Sequence, residues 1–308
     1  MITCFIRGGI GNQLFQIFAT IACAYDNNTN FIFPEKKAPK DKRSATYWDS
    51  FLKQLYINGK VIDIYSNNFK YSILNESGFN YNKIVIPHLL LKNNVCTLLY
   101  GYYQSYKYFD KYCRKIITYI KLDERIKEVK DKFYTYYENK YENKCIISMH
   151  FRLGDYKTLQ DCYELLNKDY YMNSIKFILD KIRTREKVVQ KKPENKNLIN
   201  SYVILYFCED DDCQDVQEII NAIKEEFPLI SFERAGENNE KIEDWQQMIL
   251  MSCCQHNIIA NSTFSWWSAY LNMNPKKIVC YPYKWFGNKL QGNNTIDLCP
   301  DTWSKINY

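Results

Sequence analysis

At 308 residues the chain is about twice the usual single-domain length, which predicts two domains, 1–140 and 141–308. Its 46% hydrophobic and 25% charged residues are those of a folded globular protein and exclude a disordered chain. The formal charge of +6 is local, because seven basic residues (Lys181, Arg183, Arg185, Lys187, Lys191, Lys192, Lys196) against Glu186 and Glu194 give the stretch 181–197 a net +5. With Pro193 and Asn195 inside it, that stretch reads as a solvated surface loop, and a near-neutral remainder speaks against nucleic acid as a partner.

Twelve cysteines lie in apolar runs such as Thr3-Cys4-Phe5 and read as buried, reduced thiols rather than a disulfide framework. Neither Cys208 with Cys213, nor Cys253 and Cys254 with His256, has the spacing of a zinc site, so no structural metal is expected. A strand-like stretch already begins at Ile2, and no run of about 18 apolar residues occurs. The expectation is therefore a cytoplasmic protein without a membrane span.

In chain order, Ile2 to Ile6 is short, apolar and β-branched and breaks at Arg7-Gly8-Gly9-Ile10-Gly11, a buried strand entering a glycine-rich turn. Leu14, Phe15, Phe18, Ile21, Ala22 and Tyr25 then follow helical spacing. Glycines let a ligand approach the backbone, and the free N–H groups of the helix start favour an anion, although a tight turn without a ligand fits equally. Leu14 stands where the dinucleotide fingerprint wants a third glycine or alanine, and no Lys-Ser or Lys-Thr pair makes a phosphate-binding P-loop. Phe31 to Phe33 and Val95 to Tyr100 read as further strands, residues 36–94 are irregular, and Tyr112 to Lys144 reads as an exposed connecting helix.

The second half opens with the strand Cys145 to Met149, which runs into His150-Phe151-Arg152-Leu153-Gly154-Asp155-Tyr156. Alternation puts His150 and Arg152 on one side, and an arginine fork at a strand end suits two phosphate oxygens. An Arg152–Asp155 pair that only closes a turn is the other possibility. A helix at Tyr170 to Ile182, a strand at Tyr202 to Phe207 ending in Glu209-Asp210-Asp211-Asp212, and a helix at Glu243 to Cys254 follow. Next come a strand at Asn257 to Ala260, a helix at Ser262 to Asn272 and a strand at Lys277 to Tyr281. The small hydroxyl residues of Asn261-Ser262-Thr263-Phe264-Ser265 begin that helix, where they serve as caps and equally as an anion site, while Trp266 and Trp267 anchor it. Strands alternating with helices predict an α/β fold with parallel sheets in both halves and ligands at the carboxyl ends of the strands.

Taken together, Gly8-Gly9-Ile10-Gly11-Asn12-Gln13-Leu14-Phe15-Gln16, His150-Phe151-Arg152-Leu153-Gly154-Asp155-Tyr156 and Asn261-Ser262-Thr263-Phe264-Ser265-Trp266-Trp267 resemble the α-1,2-fucosyltransferases of glycosyltransferase family 11. Gly101-Tyr102-Tyr103-Gln104-Ser105 resembles a further family segment. The resemblance implies two Rossmann-like domains facing across a cleft (GT-B type), an acceptor side in the first and GDP-fucose binding in the second. It also implies inversion at the sugar carbon, a glycan acceptor and no required metal or cofactor. By the same resemblance Arg152 holds the diphosphate and His150 lies at the nucleotide. Asn12, in a turn with Gly9, Gly11 and Gln13, approaches the donor from the other domain, Ser262, Thr263 and Ser265 bind the phosphates at a helix start, and Asn261 and Phe264 beside them are further substrate-binding candidates. Asp210 is a candidate for guanine or ribose, although Cys208-Glu209-Asp210 stands where the family often has Ser-Asp-Asp. Asp155 is the candidate general base, or else orients Arg152. Rival readings are a GDP-sugar or glycan-binding protein without turnover, and a transferase using another nucleotide sugar.

Overall fold

The computed structural model describes residues 1–35, 46–64, 69–91, 95–190, 201–236 and 241–308, with backbone alone for 186–190. The chain divides into two compact units, Met1–Lys127 with Asn293–Pro300, and Glu128–Gly292 with Asp301–Tyr308.

In the first unit β1 (Ile2–Cys4) enters α1 (Ile10–Asp26), whose residues from Ile10 to Ala24 are buried except Asn12. A helix buried all round belongs to the core, and the apolar spacing from Leu14 onward follows from that. Then come β2 (Phe33–Pro34), α2 (Lys53–Ile57), β3 (Val61–Ile62), β4 (Lys70–Asn75) and β5 (Val95–Tyr100). The main sheet is parallel in the order β1-β5-β4, and Phe31 bridges to the free edge of β1 at Ile2. The chain thus steps to opposite sides of β1 after α1 and after β4. Residues after these parallel strands, Arg7, Glu76 and Gly101, gather at one end.

The stretch 112–144 is not one exposed helix. It breaks into α3 (Cys113–Tyr119), α4 (Leu122–Val129), a π-helical turn (Lys130–Tyr134) and α5 (Thr135–Lys140), and Ile116, Ile117, Phe133, Tyr134 and Tyr137 are buried. Lys121, at φ 54°, interrupts the helix between α3 and α4.

The second unit contains β6 (Cys145–His150), α6 (Lys168–Gln190), β7 (Tyr202–Phe207), α7 (Cys213–Glu226), β8 (Ser231–Arg234) and α8 (Asp244–Cys253). It continues with β9 (His256–Ile258), α9 (Thr263–Leu271), β10 (Val279–Pro282) and β11 (Ser304–Ile306). Its six strands are all parallel in the order β11-β10-β9-β6-β7-β8. This is the Rossmann winding, in which the first strand is central and successive strands step away on either side, so the order reverses between β6 and β9. The core packs Met149, Phe151, Tyr170, Tyr171, Ile204 and Ile258 with their neighbours. A buried amide network pins the strands to the helices: Asn257 Nδ2 donates to Ser148 Oγ (2.7 Å) and to Met251 O (2.9 Å), and Asn272 Nδ2 donates to Asn257 Oδ1 (2.8 Å) and Cys254 O (2.8 Å). Lys277 Nζ closes the end of α9 on Ala269 O (2.7 Å) and Asn272 O (2.8 Å).

The basic stretch is also corrected, because Lys181 to Gln190 continue α6 instead of forming a loop, and 191–197 lie outside the described residues. None of the twelve cysteines is in a disulfide; six are buried and six half-buried. Among the described residues no helix is long and apolar enough to cross a membrane.

Candidate active site

The order reversal of the second sheet is flanked by the two segments that the sequence singles out, the chain after His150 and the chain after Ile258. His150 closes β6 and is buried (6% exposed), with its ring 5.4 Å from that of Phe264 at the start of α9. Its Nδ1 is buried without a hydrogen-bond partner, while Tyr171 Oη donates to its carbonyl (3.3 Å). Burial, with the Arg152 charge beside it, pushes the imidazole down to about 3, so it is neutral near pH 7.

Arg152 is three-quarters covered, and both edges of its guanidinium are occupied. One Nη donates to Asp155 Oδ1 (2.6 Å), the other to Glu209, and the plane lies 5.3 Å from the ring of Tyr156. The two carboxylates raise the guanidinium above its ordinary value against the opposing effect of burial, so it is charged. Gly154 takes φ +30°, which few side chains accept, and donates its N–H to Asp212 Oδ2 (2.7 Å). Tyr156 Oη reaches across to Asn261 O (3.0 Å) and thereby ties the arginine turn to the α9 loop.

In the α9 loop, Ser262 Oγ caps the helix by accepting from Phe264 N (3.3 Å). Ser265 is fully buried and donates toward Ala260 O and Ser262 O, both at 3.4 Å. Asn261 Nδ2 donates to Glu164 O (3.0 Å) and Trp285 O (3.2 Å), which leaves its buried Oδ1 without a partner. Three of the five expected substrate-binding residues of this loop therefore use their side chains to shape it, and Thr263 and Phe264 are its half-buried members.

Beyond β7 a cavity of about 370 Å³ is lined by Cys208, Asp210, Arg234, Gly236, Lys241 and Gln247. Asp210 is ion-paired to Arg234 at its rim. Asp212, by contrast, is buried beneath Gly154 and Lys157 (Nζ at 2.7 Å), so the carboxylates of the Asp-x-Asp pattern serve separate partners. Among the described residues no group of three His, Cys, Asp or Glu side chains is arranged to hold a metal.

The four glycine-turn residues form their own cluster in the first unit. Gly8 takes φ +76°, and Gln13 Nε2 holds its carbonyl (2.9 Å). Gly9 precedes α1 with open space around it, Gly11 is buried in the helix, and Asn12 Oδ1 accepts from Gln104 Nε2 (2.8 Å). Sequence reasoning missed Glu209 on Arg152, Tyr156 beneath it, and Arg234 on Asp210. The departure at Cys208-Glu209-Asp210 was the one signal for Glu209; nothing local pointed to Arg234.

The sequence model of glycosyl transferase family 11 matches residues 1–307. The chain is 25% identical over 98% of its length, and 99% of the relative's, to the O-antigen biosynthesis glycosyltransferase WbnK of Escherichia coli. It is 26% identical to an alpha-1,2-colitosyltransferase of Escherichia coli over 67% of this chain and 61% of that protein. Among solved structures, an Arabidopsis thaliana FUT1 mutant in complex with GDP covers 97% of this chain and 74% of its own, at a TM-score of 0.45 and 12% identity. Fucosyltransferase NodZ from Bradyrhizobium covers 88% and 91%, at a TM-score of 0.40 and 14% identity.

Proposed function

The chain belongs to glycosyltransferase family 11 and is a glycosyltransferase, and from that premise we propose that it moves L-fucose from GDP-fucose, with inversion, onto a hydroxyl of a glycan, forming an α-1,2 linkage to galactose or a similar sugar. The observation that supports this most is the pairing of His150 and Arg152 with the capped start of α9 at the order reversal of a Rossmann sheet, where nucleotides are bound in such folds. The diphosphate lies between the Arg152 guanidinium and the N–H groups of α9, and the neutral His150 offers its unpartnered Nδ1 to the nucleotide. The base occupies the cavity beyond β7, with Asp210 at its rim.

As the glycosidic bond breaks, charge develops on the departing GDP, and a preorganised guanidinium and helix N–H groups stabilise it without reorganising. Asp155 is better suited to orienting Arg152 than to removing the acceptor proton, because its carboxylate already rests on the guanidinium. No added metal or cofactor is required in this reading, so turnover survives chelation by EDTA. A GDP-sugar other than GDP-fucose as donor is the second reading, favoured by the match to a colitosyltransferase. Incubation with a panel of GDP- and UDP-sugars and glycan acceptors, read by product mass, separates the two. GDP-fucose as best donor is the expected result, another GDP-sugar promotes the second reading, and release of UDP removes both.

A further inference from the structure

The first unit carries a feature that the donor site does not use. Its sheet has its own order reversal, since Phe31 lies on one side of β1 and β5 on the other, and Arg7 leaves the sheet at that point. The Arg7 guanidinium is 4.1 Å from the Tyr102 ring and 5.0 Å from the Tyr100 ring. Among the described residues it makes no hydrogen bond and no ion pair, and its Nε is buried without a partner. Arg152 and Arg234, by contrast, are ion-paired. Gln16 fixes the Arg7 backbone at both ends, with Oε1 accepting from its N–H (3.0 Å) and Nε2 donating to its carbonyl (3.1 Å). Glu76 fixes the facing loop, accepting from Tyr102 N (2.7 Å) and Tyr103 N (2.9 Å). The guanidinium is thus held in place by rings and backbone anchors while its donors are unspent.

We propose that Arg7, Tyr102 and the Asn12–Gln104 pair form a subsite for a neutral acceptor sugar, with the Arg7 guanidinium donating to sugar oxygens. Three observations select a neutral polyhydroxylated ring over a phosphate. The Glu76 carboxylate lies close enough to act on the Arg7 charge and offset it. The remaining polar groups are uncharged amides, which can both donate and accept. The half-buried Tyr102 ring is flat and apolar in body, which suits the C–H face of a sugar. The subsite rests on the proposed glycosyl transfer and adds to it the residue that reads the acceptor.

The test uses the full chain with GDP-fucose, or the donor that leads the panel, and lactose, or the glycan that leads the acceptor panel. Arg7→Lys and Arg7→Met are compared with wild type for acceptor KM, donor KM and GDP affinity by calorimetry. The expected result is an acceptor KM raised about 10-fold or more in both variants with GDP affinity unchanged, since an ammonium does not replace the planar fork. An unchanged acceptor KM overturns the proposal, as does a loss confined to donor KM and GDP affinity. Should Arg7→Met fail to fold, Arg7→Lys and Tyr102→Ser carry the same comparison. Wild-type protein that binds no GDP sinks the donor reading instead, and calorimetry of the acceptor alone then decides the subsite.

Discussion

Arg152 is where a catalytic and a merely structural role part company. If the guanidinium stabilises the departing diphosphate, Arg152→Ala lowers turnover by about 100-fold or more, and Arg152→Lys recovers little. If it only ties Asp155 and Glu209 together, the cost is about 1 kcal/mol of stability, as for partly exposed ion pairs, with near-normal turnover. Turnover and melting temperature of the two variants distinguish the cases. Glu209 adds a second prediction at the same atom. Its carboxylate, 55% exposed, occupies the edge that a phosphate oxygen needs. Glu209→Gln therefore binds GDP about fivefold more tightly, the equivalent of ~1 kcal/mol. Calorimetric titration checks this, and weaker binding would show that Glu209 itself holds the nucleotide.

At the scale of the element, the turn between β1 and α1 sets two adjacent glycines apart. At Gly8 the backbone is left-handed and an added Cβ would lie 2.5 Å from Asn12 Nδ2, so Gly8→Ala costs about 1–2 kcal/mol. Gly9 has φ −67° and nothing within 4 Å of an added Cβ. Gly9→Ala therefore leaves the melting temperature unchanged or slightly higher. Loss of turnover in that stable variant would show that substrate needs the space, and full activity would make Gly9 dispensable. The sequence made the strands Val95 to Tyr100 and Tyr202 to Phe207 legible to the residue, because each is a dense apolar run whose faces are mostly buried. β4 escaped detection because Tyr71 and Ile73 are exposed on an edge strand, which blurs its alternation. The break in 112–144 was hidden for a different reason: Lys121 carries no turn signature, and tertiary packing decides its backbone. In the candidate site, residue types pointed to His150, Arg152 and the α9 cap as candidates, whereas the pairing of Arg152 with Glu209 joins loops from two strands and has no local trace.

For the whole molecule, acid stability follows from two histidines held neutral. Burial, then the Arg152 charge, lowers His150 to about 3, and burial, then the Arg185 charge, lowers His256 to about 4; His256 Nδ1 also accepts from Ile278 N (3.0 Å). Both titrate near 6.5 when unfolded, so below that pH the unfolded chain takes up protons that the folded one refuses. Their contribution is fully present above about 6.5 and is lost as pH falls toward 4, by about 1.4 kcal/mol per unit for each histidine. Urea midpoints between pH 7 and 5 measure the slope, and His256→Asn should remove about half of it. The division of the chain bears on its synthesis as well. Asn293–Pro300 returns to the first unit, where Asp297 accepts from Tyr81 N (3.1 Å) and its carbonyl from Ser105 Oγ (2.6 Å), before β11 adds the last strand of the second. The first unit lacks a part until Asn293–Pro300 are made, after all of Glu128–Gly292, so it cannot finish before most of the second is synthesised, as leading domains ordinarily do. A chain ending at Gly292 lacks parts of both units and should be protease-sensitive in both, whereas the chain extended through Tyr308 is resistant.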